Sequence, residues 1–99
     1  MAHVVMGVKK ECVSKVPEML RDDLVSRQSI VTRDAAALDL KSDLHLVLIE
    51  GSEQGVARAK EIFKEIAEPL PEKEALEVIR KIKEQEEKAS MGVGMIFDA

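Results

Sequence analysis

The segment Gly51-Ser52-Glu53-Gln54-Gly55 joins a short apolar run to a strongly periodic one, which places its backbone amides at the first turn of a helix. Amides in that position carry partial positive charge and hold anions, so Gly51, Ser52 and Gly55 are the candidate ligand or anion-binding residues. The segment lacks the Gly and Lys placement of a P-loop and the spacing of a dinucleotide fingerprint, and Glu53 puts negative charge where a phosphate would lie. Its plainer reading is a turn with Ser52 as N-cap.

Asp34, Asp39 and Asp43 cluster before the apolar run, with Ser42 among them, and hard divalent cations such as calcium prefer such oxygen ligands. They are the candidate metal residues, with Asp22, Asp23 or Glu50 as further ligands if the chain folds them alongside. The spacing fits no EF-hand loop, and aspartate also favours turns because its carboxylate accepts from nearby backbone amides. His3 and His45 fall in separate strand-like segments that face one another in one arrangement of a sheet, and with Cys12 they would supply soft metal ligands or a nucleophile and base. No local signature supports either chemistry, and half-buried side chains explain all three residues. No catalytic residues and no cofactor are assigned.

Composition narrows the function classes further. Trp and Tyr are absent and Phe63 and Phe97 are the aromatic residues, so the chain lacks the stacking platforms on which single-stranded nucleic acids are read. Nineteen acidic against 15 basic side chains give a net charge of -4, and no basic cluster attracts a phosphate backbone, so no nucleic-acid partner is expected. The apolar runs fall far short of the roughly 20 residues that span a bilayer, and the N-terminus shows no secretory pattern, so no membrane partner is expected either. One cysteine excludes an intrachain disulfide, and a reducing cytoplasmic location follows.

The elements that must position these residues read clearly in part. Ala2 to Lys9 is rich in β-branched and apolar residues and suits a strand. Val16, Met19, Leu20 and Leu24 follow the spacing of one helical face, which predicts a helix from Ser14, its N-cap, to about Val25. Ser29 to Asp34 reads as a second strand, and Asp34 to Asp43 as a knuckle of some helical character. Leu44-His45-Leu46-Val47-Leu48-Ile49 does not alternate, which predicts a central strand buried on both faces. Val56, Ala59, Ile62, Phe63, Ile66 and Ala67 define the clearest amphipathic helix, ended by Pro69-Leu70-Pro71.

Pro71 suits the first position of another helix, with Glu72 and Glu74 in its favoured first turn. Its apolar stripe is Ala75, Leu76, Ile79 and Ile82, after which Lys83 to Lys88 is uniformly polar and reads as a solvated arm. Lys73 with Glu77, Glu77 with Lys81, Lys83 with Glu87 and Glu84 with Lys88 stand four apart and would support it. Met91 to Phe97 turns apolar again and reads as a closing strand, or as a tail that docks on a neighbour. Ninety-nine residues carry a single α+β domain, 1–99, with an extra helix and terminal apolar strand or tail over 71–99.

This order of elements resembles the ferredoxin-like βαββα(α)β sandwich, an antiparallel sheet covered by helices, with an additional helix before its last strand. The aliphatic, Glu- and Lys-rich text is similar to that of small archaeal α+β proteins without an assigned activity. Neither resemblance carries a motif, and fold alone does not assign a function. The physical expectation is a non-enzymatic protein-interaction or self-associating module of an intracellular prokaryotic protein, working as a homo-oligomer (dimer) or with a protein partner. Incomplete burial of the last helix and the terminal segment is its reason. The alternative is a small-ligand or divalent-cation-binding regulatory domain.

Overall fold

Four consecutive residues, Leu46 to Ile49, are all buried in the strand β3 (His45–Gly51). Side chains alternate between the faces of a strand, so this run demands cover on both sides of its sheet. The computed structural model, which describes residues 2–98 and the side chains of 2–87, supplies both covers. Val47 and Ile49 join one apolar cluster with Val4, Met6, Val56 and Phe63, while Leu46 and Leu48 join a second with Val5, Leu38, Val78 and Ile82.

The sheet has four antiparallel strands in the order β2 (Ser29–Asp34), β3, β1 (Ala2–Val8) and β4 (Ala67–Pro69). The first cluster is roofed by the helix α2 (Glu53–Phe63) and the short helix α1 (Val16–Met19); the second by α3 (Glu72–Asp98) and a 3-10 turn at Ala35–Leu38. The class is α+β, as the pattern of apolar residues requires.

β2 and the N-cap of α2 lie where the sequence places them: Ser52 Oγ accepts from the Gly55 N–H at 3.0 Å. Three other elements differ. The helix expected over Ser14 to Val25 contracts to Val16–Met19, with Lys15 and not Ser14 at its N-cap. The cause sits at Asp22, whose carboxylate accepts from the Leu24 and Val25 amides, each at 3.2 Å, giving the backbone a local alternative to helix. α2 ends at Phe63 rather than Ala67, because Ala67 to Pro69 pairs with β1 as the fourth strand. The closing strand expected over Met91 to Phe97 is therefore corrected. β4 already holds that edge of β1, and the chain from Glu72 onward is one helix that runs through those residues. The additional helix consequently follows the last strand and does not precede it.

Among the described side chains of α3 the buried residues are Ala75, Val78 and Ile82, with Ile79 partly covered, whereas Leu76 is 53% exposed. The stripe is thus rotated from the expected one by a single substitution, Val78 for Leu76. Both sets satisfy a helical period, and the contact with Leu46 and Leu48 chooses between them.

Candidate functional site

At the strand-to-helix step, Gly51, Ser52 and Gly55 do come together, and a fourth residue completes the arrangement. Gln28, in the turn before β2, turns its side-chain amide onto the N-terminus of α2. Its Oε1 accepts from the Ser52 N–H at 2.9 Å and its Nε2 donates to the Leu24 carbonyl at 2.9 Å. The lack of side chains at Gly51 and Gly55 is what admits it, since a Cβ at either position would run into the Gln28 amide. An anion reaching the Ser52 amide therefore has to displace Gln28, whose carbonyl dipole already serves the helix N-terminus. No sequence signal marks Gln28, because it stands 24 residues from Ser52 in the chain.

The three aspartates are not gathered. Asp34 Oδ1 lies 2.9 Å from His45 Nδ1, Asp39 closes the 3-10 turn in the left-handed conformation at φ 59°, and Asp43 is exposed. Among the described residues no group of three His, Cys, Asp or Glu side chains is placed to hold a metal ion. His3 and His45 stand at opposite ends of the β1–β3 pair, opposite Glu50 and Val8 respectively, so they do not face one another. His3 Nε2 is shielded from water 3.5 Å from Glu72 Oε1, and Cys12 is half-buried against the Phe63 cluster.

Two adjoining hollows of about 260 and 330 Å³ lie where β4 passes into α3, sharing Leu44, Leu70 and Glu74. Gly7 lines the second, and a Cβ there would stand 2.9 Å from Leu44 Cδ1. The first falls below, and the second lies at the lower end of, the roughly 300 to 1,000 Å³ of clefts that hold typical ligands. The first is lined by the polar residues Lys41, Ser42, Glu74 and Glu77 and the second by Lys9, Lys64, Glu65, Glu68 and Glu74; Ser42 Oγ accepts from the Leu44 N–H at 3.1 Å, and no hydrogen bond joins it to a base among the described residues.

Among the described residues, Asp22 is the acid whose ionisation the fold shifts. The Val25 amide first, then the Arg58 guanidinium 3.3 Å away, hold its carboxyl below the usual carboxylate value, with partial burial opposing them. Its partners are structural, so the perturbation belongs to a turn and not to a reacting centre.

Polar contacts of another kind tie α3 to the sheet. Gln85 accepts from Arg33 Nε at 3.2 Å and donates to the Ala37 carbonyl at 2.8 Å, and Lys81 Nζ donates to the Leu38 carbonyl at 3.1 Å. The stretch that reads as a solvated arm is thus anchored as far as Gln85. Of the expected charge pairs, Glu77 with Lys81 is present at 3.9 Å, joined by Arg80 with Glu84 at 2.8 Å, while Glu84 with Lys88 lies outside the described side chains. No helix among the described residues is long and apolar enough to cross a membrane. No protein-family model, no curated protein and no solved structure matches the chain.

Proposed function

We propose that this domain is a non-enzymatic protein-interaction module that works by self-association, with a dimer as the working unit and α3 together with the Met91 to Phe97 segment as contact elements. The observation that carries this reading is the path of α3. It starts beside β1, where Glu72 meets His3, crosses the second face of the sheet and reaches β2 at Gln85. The sheet of one chain ends at β2, yet the helix continues to Asp98, about 20 Å further at 1.5 Å per residue. Leu76, exposed on the same helix, adds apolar surface whose cover by a neighbour is worth about 25 cal/mol per Å².

We read the strand order β4-β1-β3-β2, antiparallel throughout, as the ferredoxin-like plan with α3 laid over the face that this plan leaves open. The acidic, Glu- and Lys-rich surface supports a cytoplasmic, archaeal setting and a protein partner rather than nucleic acid.

Light scattering on a chain ending at Glu87 tests the role of the distal helix. The core clusters end at Ile82 among the described residues, so the shortened chain is expected to fold and to weigh as a monomer. An oligomeric mass equal to that of the full chain would remove the reading. Thermal shift against calcium, magnesium, nucleotides and phosphate separates the alternative, a small-ligand or divalent-cation-binding domain, since binding to the native state must raise Tm.

A further inference from the structure

The two edges of the sheet differ in what they offer a further strand. Leu70 N–H donates to the Val5 carbonyl at 2.9 Å, which makes that pair, and by alternation Glu68 with Gly7, the hydrogen-bonded pairs of the β1–β4 ladder. Ala67 and Pro69 then face away from β1. Pro69 has no N–H to give, and β4 is only three residues long, so this edge is closed by its own chemistry.

The other edge is open. Ala35 N–H donates to the Leu44 carbonyl at 3.0 Å, one register step beyond the Asp34–His45 pair. The same alternation makes Arg33–Leu46, Val31–Leu48 and Ser29–Glu50 the hydrogen-bonded pairs, and it turns the N–H and C=O groups of Ile30, Thr32 and Asp34 away from β3. β2 runs in unbroken register and contains neither proline nor glycine. Arg33 Nη1 donates to the Thr32 carbonyl at 2.8 Å, which leaves that oxygen a second lone pair.

We propose that β2 is the contact strand between two copies of this chain, pairing antiparallel with the partner's β2 about a twofold axis that passes perpendicular to the sheet at Thr32. The inference rests on the self-association reading and adds a contact strand to α3 and the Met91 to Phe97 segment, because so short a strand pairing is too weak to hold the dimer once the chain ends at Glu87. In this register Thr32 faces the partner's Thr32 and Ile30 faces the partner's Asp34, so the Thr32 pair exchanges two bonds and each Asp34 N–H reaches an Ile30 carbonyl, about four in all, since the Asp34 carbonyl caps the 3-10 turn. Threonine pairs are favourable across strands, and Arg33 meets the partner's Val31. Centring the axis on Val31 leaves Asp34 unused, and centring it on Arg33 sets two guanidinium groups directly opposite. The axis keeps each face of the sheet on its own side, so both α3 helices lie on one face and run antiparallel. Each then continues past its own β2 above the added strands, which stand about 4.8 Å apart.

Amide hydrogen exchange by NMR on the full chain, read beside light scattering over a dilution series, tests this. The Thr32 and Asp34 amides are expected to exchange freely in dilute monomer and to be protected where the mass is dimeric, with Val31 and Arg33 protected at both. Thr32→Pro in the full chain removes an outward N–H without touching the β2–β3 ladder, and it should weaken the dimer by at least about tenfold. A dimeric mass with those two amides unprotected, or an unchanged dimer in Thr32→Pro, would overturn the edge assignment and leave self-association standing. A monomer at every concentration would overturn both. If Thr32→Pro does not fold, the exchange pattern of the unaltered chain decides alone.

Discussion

Arg33 and Gln85 meet side chain to side chain at 3.2 Å, joining the edge strand of the sheet to the helix that crosses above it. Gln85 uses its other end on the Ala37 carbonyl, so one amide spans β2, the 3-10 turn and α3. With Lys81, which donates to the Leu38 carbonyl, it fastens α3 to this edge of the sheet. Gln85→Ala removes both bonds and is expected to lower stability by about 1 to 2 kcal/mol, read as a fall in the urea midpoint with an unchanged slope. A midpoint equal to that of the unaltered protein would mean that water serves Arg33 and Ala37 equally well.

The register of α3 on the sheet makes a paired prediction. Val78 is 2% exposed in the cluster that also holds Leu46 and Leu48, whereas Leu76, two positions earlier, is 53% exposed. Val78→Ala should cost about 2 to 3 kcal/mol through lost burial and a residual cavity. Leu76→Ser should move monomer stability by less than about 0.5 kcal/mol. Comparable losses from the two would place the helix in the rotated register that the sequence alone favours.

That pair shows what was legible and what was not. Local signals sufficed for β2, for β3 as a strand buried on both faces, and for Ser52 as the cap of α2, because turn chemistry and unbroken aliphatic runs are written in neighbouring residues. They did not suffice at Val16 to Val25, where the Asp22 carboxylate competes with the helix for the Leu24 and Val25 amides. Nor did they reveal β4, whose three residues become a strand only by pairing with Met6 to Val8. Met91 to Phe97 has strand-like composition but follows a helix with no break before it. At the candidate site the glycines and Ser52 were visible, while Gln28 and Gln85 act over 24 and 48 residues of sequence and leave no periodic trace.

Gly55 tests the seat of Gln28. In an ordinary helix Gly→Ala gains about 1 kcal/mol. Here the added methyl meets the Gln28 amide, which is bonded at both ends, so Gly55→Ala should cost about 1 to 2 kcal/mol. In a Gln28→Ala background the obstruction is gone and the same substitution should stabilise. The sign change, read in a double-mutant cycle by thermal or urea unfolding, measures the coupling directly. Additive effects would show that the Gln28 side chain does not occupy the α2 N-terminus in solution.

Asp22 sets a pH dependence whose direction follows from its partners. The Val25 amide and the Arg58 guanidinium favour its charged form, so its folded pKa lies below the ordinary 3.8. A carboxylate of this kind contributes stability that is present above its unfolded value and is lost as pH falls through the lowered folded one. Asp22→Asn keeps the shape and most of the turn but not the charge. The stability gap between the natural chain and Asp22→Asn should therefore be constant from neutral pH down to the ordinary carboxylate value and close below it. Added salt should narrow it, because Arg58 is 44% exposed and the ion pair is screened. A gap that survives undiminished at about pH 2 would show that the charge of Asp22 contributes nothing to the turn, and that the side-chain oxygen alone ends α1.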